Sequence, residues 1–199
     1  MNTTILNFVG LPLDVEYRCR INRVPGGEVA QCVAELKQVG FYRYTLPENL
    51  EKALCDPLES LDDYGYVFFD YINRDTRMDT EDINECGIGE FLKDIRNFPP
   101  CHIITSTFIN EEYQGRVNHV KFSGIECKVW VYTEFEDTHH AWLLSGDRAI
   151  KMMNQLFEIN GYEDRLYYYH AGNDSEAFLV TPQILKVLTR YGAMTINTK

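Results

Sequence analysis

Two hairpin patterns in the second half of the chain constrain the fold more than any other feature. The first pairs residues 117–122 with 125–135 around Ser123-Gly124, and the second pairs residues 165–170 with 177–180 around Gly172-Asn173-Asp174. A short turn joins antiparallel strands, whereas parallel strands need a longer crossover connection. Because helical patterns also occur along the chain, we predict an α+β fold with a mixed or largely antiparallel sheet and four to five helices.

Apolar residues at helical spacing predict where the helices lie. One helix is expected at 29–39 and a shorter one at 48–55. The next begins at Asp79 or Thr80, has a possible break near Gly87 and ends at Pro99-Pro100. Two more extend from Ser145 to Asn160-Gly161 and from Thr181-Pro182 to Gly192. Clusters of aromatic and β-branched residues predict further strands at 41–46, 64–72 and 101–109. The 199 residues are expected to form one domain, with Pro99-Pro100 interpreted as a turn inside it.

An excess of acidic side chains defines which partners the chain can bind. The chain has 30 Asp and Glu against 19 Lys and Arg, which gives a formal net charge of −11. Contacts with nucleic-acid phosphates or with an anionic membrane require clustered Lys and Arg, so we expect neither partner. The excess is concentrated between Glu48 and Glu90, a segment that holds 13 acids and three bases. We therefore expect any function of the charge to lie in this segment.

The leading prediction is a binding or inhibitor module that neutralises a basic surface of another protein. The expected contact residues are acids and interleaved tyrosines of the same segment, namely Glu59, Asp62, Asp63, Tyr64, Tyr66, Asp70, Asp75, Asp79, Glu81 and Asp82. Carboxylates can occupy a groove that a nuclease or another nucleic-acid-binding protein uses for phosphates, and tyrosine is enriched at interface hot spots. Immunity proteins and phage counter-defence proteins that mimic nucleic acid fit this physical profile. The competing interpretation is an acidic flank that only keeps the protein soluble.

A metal-assisted hydrolase or transferase is the first alternative. Glu134, Glu136, His139 and His140 lie within seven residues of one another, and carboxylates together with imidazoles can bind Zn²⁺ or Mn²⁺. The segment lacks an H-x-H or H-x-x-x-H pattern, and both histidines are expected in a loop that follows a strand. We therefore keep these four residues as candidate ligands only, and predict no metal or other cofactor.

A binder of small, nucleotide-like ligands is the second alternative. Aromatic residues make up 13% of the chain, and aromatic walls stack well on nucleobases. A phosphate would need a cationic partner beside such a wall. The tyrosine-rich segments offer few of these, namely Arg43 between Tyr42 and Tyr44 and Arg165 near Tyr167.

No catalytic centre is predicted. The chain has no phosphate-binding glycine loop and no hydrolase motif, and Cys101 and His102 point to opposite faces of their predicted strand. The six cysteines form no C-x-x-C pair, and the first residues lack the basic flank of a secretory signal. We therefore expect reduced, buried thiols in a cytoplasmic protein, whose oligomeric state stays open.

Overall fold

The computed structural model describes residues 3–13, 16–45, 74–135, 137–171 and 174–197. Within these ranges the strands are β1 (Thr4–Asn7), β2 (Cys19–Ile21), β3 (Asp75–Asp79), β4 (Phe108–Gln114), β5 (Val117–Phe122), β6 (Ile125–Val131), β7 (Arg165–Ala171), β8 (Asp174–Val180) and β9 (Met194–Ile196). The α-helices are α1 (Val29–Gln38), α2 (Thr80–Cys86), α3 (Ile88–Ile95), α4 (Pro99–Thr105), α5 (Thr138–Ile159) and α6 (Pro182–Arg190).

The strands form three sheets. The four-stranded sheet has the order β1-β6-β5-β4, with β1 parallel to β6 and the other pairs antiparallel. The three-stranded sheet β3-β8-β7 and the two-stranded sheet β2-β9 are antiparallel throughout. Both predicted hairpins are present, since Phe122 pairs with Ile125 and Ala171 pairs with Asp174. The predicted α+β fold with a mixed, largely antiparallel arrangement is therefore confirmed.

The three-stranded sheet contributes one face to each of two clusters of buried apolar side chains. Leu179 on β8 belongs to the cluster that includes residues of α2 to α5 and of the four-stranded sheet. Its neighbours Phe178 and Val180 belong to the cluster that includes residues of α1 and α6. Successive residues of a strand point to opposite faces, which explains how one strand serves both clusters.

Local signals determine where α2 begins and where it ends. The side chain of Asp79 accepts hydrogen bonds from the backbone N–H groups of Glu81 at 3.0 Å and Asp82 at 3.2 Å, so Asp79 is the N-cap. Gly87 has a φ of 99°, a conformation that favours glycine, and α3 begins at the next residue. The predicted helix start and the predicted break are both confirmed.

The strand predicted at 101–109 is wrong for most of its length. Pro99 and Pro100 occupy the first turn of α4, where a missing N–H group costs no helical hydrogen bond, and the helix continues to Thr105. Strand β4 begins only at Phe108. Because Pro99-Pro100 begins a helix as well as following one, and because the break at Gly87 separates α2 from α3, the described ranges alone contain six α-helices, against four to five predicted for the whole chain.

Three other boundaries differ from the prediction. Helix α5 begins at Thr138 with Asp137 as its N-cap, so Ser145 is a buried residue inside the helix and not its cap. Residues 41–44 form turns instead of a strand, and β6 ends at Val131, where a short 3₁₀ turn replaces the predicted strand end. The helix predicted at 48–55 and the strand predicted at 64–72 lie outside the described residues.

Four cysteines are buried free thiols, as predicted, namely Cys19, Cys32, Cys101 and Cys127. Burial raises the pKa of the Cys32 thiol to about 11, which keeps it protonated at neutral pH. In the part of the chain that the structure describes, no helix has both the length and the apolar character needed to cross a membrane.

Candidate protein-binding surface

The structure describes four of the ten residues predicted to contact a partner. Glu59, Asp62, Asp63, Tyr64, Tyr66 and Asp70 lie outside the described residues. Asp75 is the first residue of β3, where it pairs with Phe178, and Asp79, Glu81 and Asp82 lie at the start of α2. Of the predicted contact segment, the structure therefore describes only the part that begins at β3 and continues into α2.

Asp79 has a structural role at the start of α2. Its carboxylate caps the helix and also lies 3.7 Å from the guanidinium of Arg77. The Arg77 side chain is 72% exposed, so this ion pair adds little stability. Asp82 and Glu85 are exposed, and their spacing of three residues places them on the same side of α2.

Helix α3 brings two more carboxylates close to α2. Burial raises the pKa of Asp94, and the negative charges of Glu90 and Asp82 raise it further, while Lys93 opposes the shift. This electrostatic influence shows that acids from both helices lie near Asp94. We name Asp82, Glu85, Glu90 and Asp94 the α2–α3 acidic face.

Little positive charge compensates the α2–α3 acidic face within its own segment. Between Asp79 and Asp94 the chain has six acids and one base, Lys93. The Nζ atom of Lys93 lies 2.5 Å from a carboxylate oxygen of Glu90, so this one cation is already paired. Repulsion between the remaining carboxylates is therefore only partly relieved, and it adds to burial, the larger cause, in raising the pKa of Asp94.

Two stacked tyrosines are exposed on the four-stranded sheet and the turn that follows it. The ring centroids of Tyr113 and Tyr132 are 5.2 Å apart with an interplanar angle of 13°, and the two residues are 41% and 51% exposed. The indole N–H of Trp130 donates a hydrogen bond to the Tyr113 hydroxyl at 3.3 Å, and the Phe135 ring packs edge-on against Tyr132. The pair is therefore a rigid aromatic surface held by buried and neighbouring rings.

Glu111 connects this tyrosine pair to the helices that carry the acidic face. Its carboxylate accepts hydrogen bonds from the backbone N–H of Gly89 at 2.9 Å and from the Asn118 side chain at 2.5 Å. Glu111 and Tyr113 are two residues apart on β4, so they share a face at a spacing of about 7 Å. The tyrosine pair thus lies close to the junction between α2 and α3.

The tyrosine pair is a feature that sequence reasoning missed. Tyr113 is near the end of β4, and Tyr132 lies in the 3₁₀ turn that follows β6. Strand β5 lies between these two strands in the sheet. The register of the sheet and the irregularity near Val117 bring them together. The one usable signal in the sequence is the predicted β5–β6 hairpin, which places the start of β5, and the chain just before it, beside the end of β6.

Glu134, a candidate metal ligand, is bound by groups of the chain itself. Its two carboxylate oxygens lie 2.7 and 2.8 Å from the guanidinium of Arg148, and they also accept hydrogen bonds from the backbone N–H groups of Val131 and Gly10. Burial opposes ionisation, but the hydrogen bonds from Arg148, Val131 and Gly10 outweigh it and hold the pKa of Glu134 below its ordinary value. The arrangement gives this carboxylate a structural role between α5, β6 and the chain after β1.

The two candidate histidines lie in a helix and not in the predicted loop. His139 and His140 are in the first turn of α5, where consecutive side chains diverge by about 100° around the helix axis. Glu136 lies outside the described residues. No group of three or more His, Cys, Asp or Glu side chains suited to a metal ion occurs within the described ranges.

The cysteine–histidine pair at 101–102 is also helical. Cys101 is fully buried in α4 and burial raises the pKa of its thiol well above the ordinary value, whereas His102 is exposed. A protonated, buried thiol is a poor nucleophile. The interpretation of Cys101 as a buried core residue is therefore confirmed, although the reason is a helix and not a strand.

The cations near the tyrosine-rich segments bind groups of the protein itself. Arg43 donates to Asp164 at 2.9 Å and stacks on the Tyr44 ring, which also lies 4.6 Å from the guanidinium of Arg74. Arg165 donates to backbone carbonyls at positions 162 and 164. Arg43 and Arg165, the two cations predicted beside the tyrosine-rich segments, are therefore both bound by groups of the protein itself.

Comparison with known proteins gives no relative: no protein family, no curated protein and no solved structure matches this chain.

Proposed function

We propose that this protein is a binding module whose α2–α3 acidic face contacts a basic surface of another protein. The observation that carries the proposal is the charge of the segment from Asp79 to Asp94, which holds six acids and a single base, Lys93, already paired with Glu90. Carboxylates held close together without enough cations repel one another, and a cationic partner relieves that repulsion when it binds. Complementary charge of this kind chiefly increases the rate of association and the selectivity for the partner.

The exposed tyrosine pair supports a protein partner over a simple counterion. Stable protein interfaces usually contain aromatic anchors near a charged rim, because tyrosine buries a large area at a low cost in conformational entropy. Tyr113 and Tyr132 are partly exposed, are held rigidly, and lie close to the α2–α3 junction. We expect them to pack against apolar or aliphatic parts of the partner while the acids contact its Lys and Arg.

The partner surface that fits best is a groove lined by Lys and Arg, such as one that binds nucleic-acid phosphates. The carboxylates of the α2–α3 acidic face would occupy positions that phosphates otherwise take. In that case the module acts as a competitive inhibitor of a nuclease or another nucleic-acid-binding protein. This role would agree with an immunity or counter-defence function.

Charge reversal at two positions provides the sharpest test. Glu85 and Asp94 lie near the C-terminal ends of α2 and α3, so Glu85→Lys and Asp94→Lys place cations where the helix dipoles favour them and should leave the fold intact. The matched control is Glu158→Lys with Glu163→Lys, two exposed acids with the same change in net charge. Glu158 lies about 18 Å along α5 from Gly146, which packs against Thr80 at the start of α2.

Affinity capture from a lysate of the source cells should use the wild type, the reversed variant and the control as three baits. The proposal expects a basic protein that the wild type and the control retain, that the reversed variant loses, and that leaves the bait when salt rises from about 0.05 to 0.5 M. Equal retention on all three baits, or retention of no basic protein by the wild type, would contradict the proposal.

A further inference from the structure

A cavity of about 480 Å³ opens between α3, α4 and the start of β4. Its lining residues are Gly89, Glu90, Leu92, Lys93, Arg96, His102, Thr105, Ser106 and Phe108. A volume of this size lies in the range typical of small-molecule sites. The cavity contains none of the contact residues or metal ligands predicted from the sequence, although Glu90 belongs to the acidic segment between Glu48 and Glu90.

The floor of the cavity is apolar and contains one well-supported aromatic ring. Phe108 packs edge-on against Phe122 with a centroid distance of 5.9 Å, which fixes its ring at the cavity wall. Leu92 is buried beside it, and a Cβ atom at Gly89 would lie 3.9 Å from the Cζ atom of Phe108. The absence of a side chain at position 89 therefore leaves this edge of the Phe108 ring uncovered.

Basic side chains line the mouth of the cavity. Lys93 is paired with Glu90. The side chains of Arg96 and His102 are exposed, and neither makes a hydrogen bond or an ion pair among the residues that the structure describes. Glu90 lines the cavity and also belongs to the acidic face, so the two meet along α3. Because Lys93 is paired with Glu90, Arg96 is the uncompensated charge of the lining and makes the mouth of the cavity locally basic.

Two hydroxyl groups complete the wall formed by the end of α4. Thr105 donates its hydroxyl proton to the carbonyl of His102 at 3.2 Å, and Ser106 donates to the carbonyl of Ile103 at 2.7 Å. With their protons used in these bonds, both oxygens present lone pairs and act as acceptors. They suit a ligand that carries hydroxyl or amino donors.

We propose that this cavity binds a nucleoside monophosphate. Arg96 and His102 bind the phosphate, with the planar guanidinium of Arg96 able to donate two parallel hydrogen bonds to it. The base stacks on Phe108, and the sugar hydroxyls donate to Thr105 and Ser106. A ligand with an anionic end, a planar apolar end and donors between them matches all three parts of the lining. Glu90 belongs both to the lining and to the α2–α3 acidic face, but none of the residues proposed to bind the ligand belongs to that face, so either proposal can fail without the other.

Titration calorimetry with adenosine monophosphate, adenosine and inorganic phosphate tests the proposal. We expect saturable binding of adenosine monophosphate. Adenosine and phosphate should each bind at least about tenfold more weakly, since each lacks one half of the contacts. No binding of adenosine monophosphate would overturn the proposal. Phosphate that binds as tightly as adenosine monophosphate would also overturn it, because the site would then recognise only an anion.

Two variants and a matched control locate the site. Arg96→Gln should weaken binding of adenosine monophosphate by about tenfold or more while leaving adenosine unchanged, because it removes a charged donor to the phosphate. Phe108→Leu should weaken both ligands by removing the stacking surface. The control is Arg116→Gln, an exposed arginine in the turn that follows β4, about 20 Å from Phe108. Equal losses for Arg96→Gln and Arg116→Gln would overturn the proposal.

Amide chemical shifts give a readout that does not depend on affinity. On addition of adenosine monophosphate, we expect the largest changes at residues 89–96 and 102–108. Changes centred on any other part of the chain would show that the ligand binds elsewhere and would overturn the assignment.

Discussion

The contact between α5 and α2 provides a prediction about how the acidic face is held in place. Gly146 lies inside α5, where a Cβ atom would be 2.8 Å from the Cγ2 atom of Thr80 and 3.6 Å from the Cε atom of Met78. Thr80 is the first residue of α2 and is fully buried. We therefore predict that Gly146→Ala forces α2 away from α5.

The size of the effect follows from two opposing contributions. The Cβ contact would be about 1 Å shorter than the optimal separation of two carbon atoms, and overpacking of this kind costs about 1–3 kcal/mol. Alanine in a helix interior gains about 0.5–1 kcal/mol over glycine. The net expectation for Gly146→Ala is a destabilisation of about 1–2 kcal/mol in the free energy of unfolding.

A double-mutant cycle measured by urea unfolding separates the clash from other effects. Thr80→Ser removes the methyl group that the new Cβ would meet and should alone cost about 1 kcal/mol. With both changes present the clash is relieved, so the double variant should be more stable than the sum of the single effects by about 1 kcal/mol. Stabilisation by Gly146→Ala, or additive single effects, would refute the packing of α2 on α5 described here.

Two further predictions concern charged side chains. Asp94→Asn should raise the stability at pH 7, because the raised pKa of Asp94 means that the folded state disfavours its ionised form. This gain in stability should disappear below pH 3.8, the ordinary pKa of the group, because the carboxyl is then protonated in the folded and the unfolded state. Urea unfolding at pH 7 and below pH 3.8 measures the gain, and an equal gain at both pH values would contradict the prediction. Glu134→Gln should destabilise the protein by about 2–3 kcal/mol, because it leaves the buried guanidinium of Arg148 without its counterion. Unchanged stability together with loss of a bound metal ion would instead support the metal-dependent alternative.

The elements that the sequence predicts correctly have local causes. The β5–β6 hairpin needs only two strand patterns and the Ser123-Gly124 turn, and the start of α2 needs only the Asp79 cap. Pro99-Pro100 shows how a local signal can have two meanings, because proline ends one helix and is also favoured in the first turn of another. Sequence alone did not distinguish these two roles.

The start of α5 differs from the prediction because Ser145 resembles an N-cap in the sequence but has a distant partner in the fold. Its hydroxyl donates to the side chain of Asn84 at 3.2 Å, while Asp137 caps the helix by accepting from the backbone N–H of His140. The contact with Asn84 joins residues 61 positions apart, so the sequence around Ser145 does not reveal it. For the site, charge along the sequence located the acids, whereas the tyrosine pair and the cavity depend on tertiary packing.

The central proposal, that the α2–α3 acidic face binds a basic protein, is tested most directly by association kinetics with the captured partner. For the wild type, we predict an association rate constant that falls steeply as salt rises from about 0.05 to 0.5 M, because charge steering is screened. For the variant with Glu85→Lys and Asp94→Lys, the rate constant should be lower at low salt and nearly independent of salt, while Glu158→Lys with Glu163→Lys should behave like the wild type. Identical rate constants and salt dependence for the wild type and the first variant would contradict the proposal.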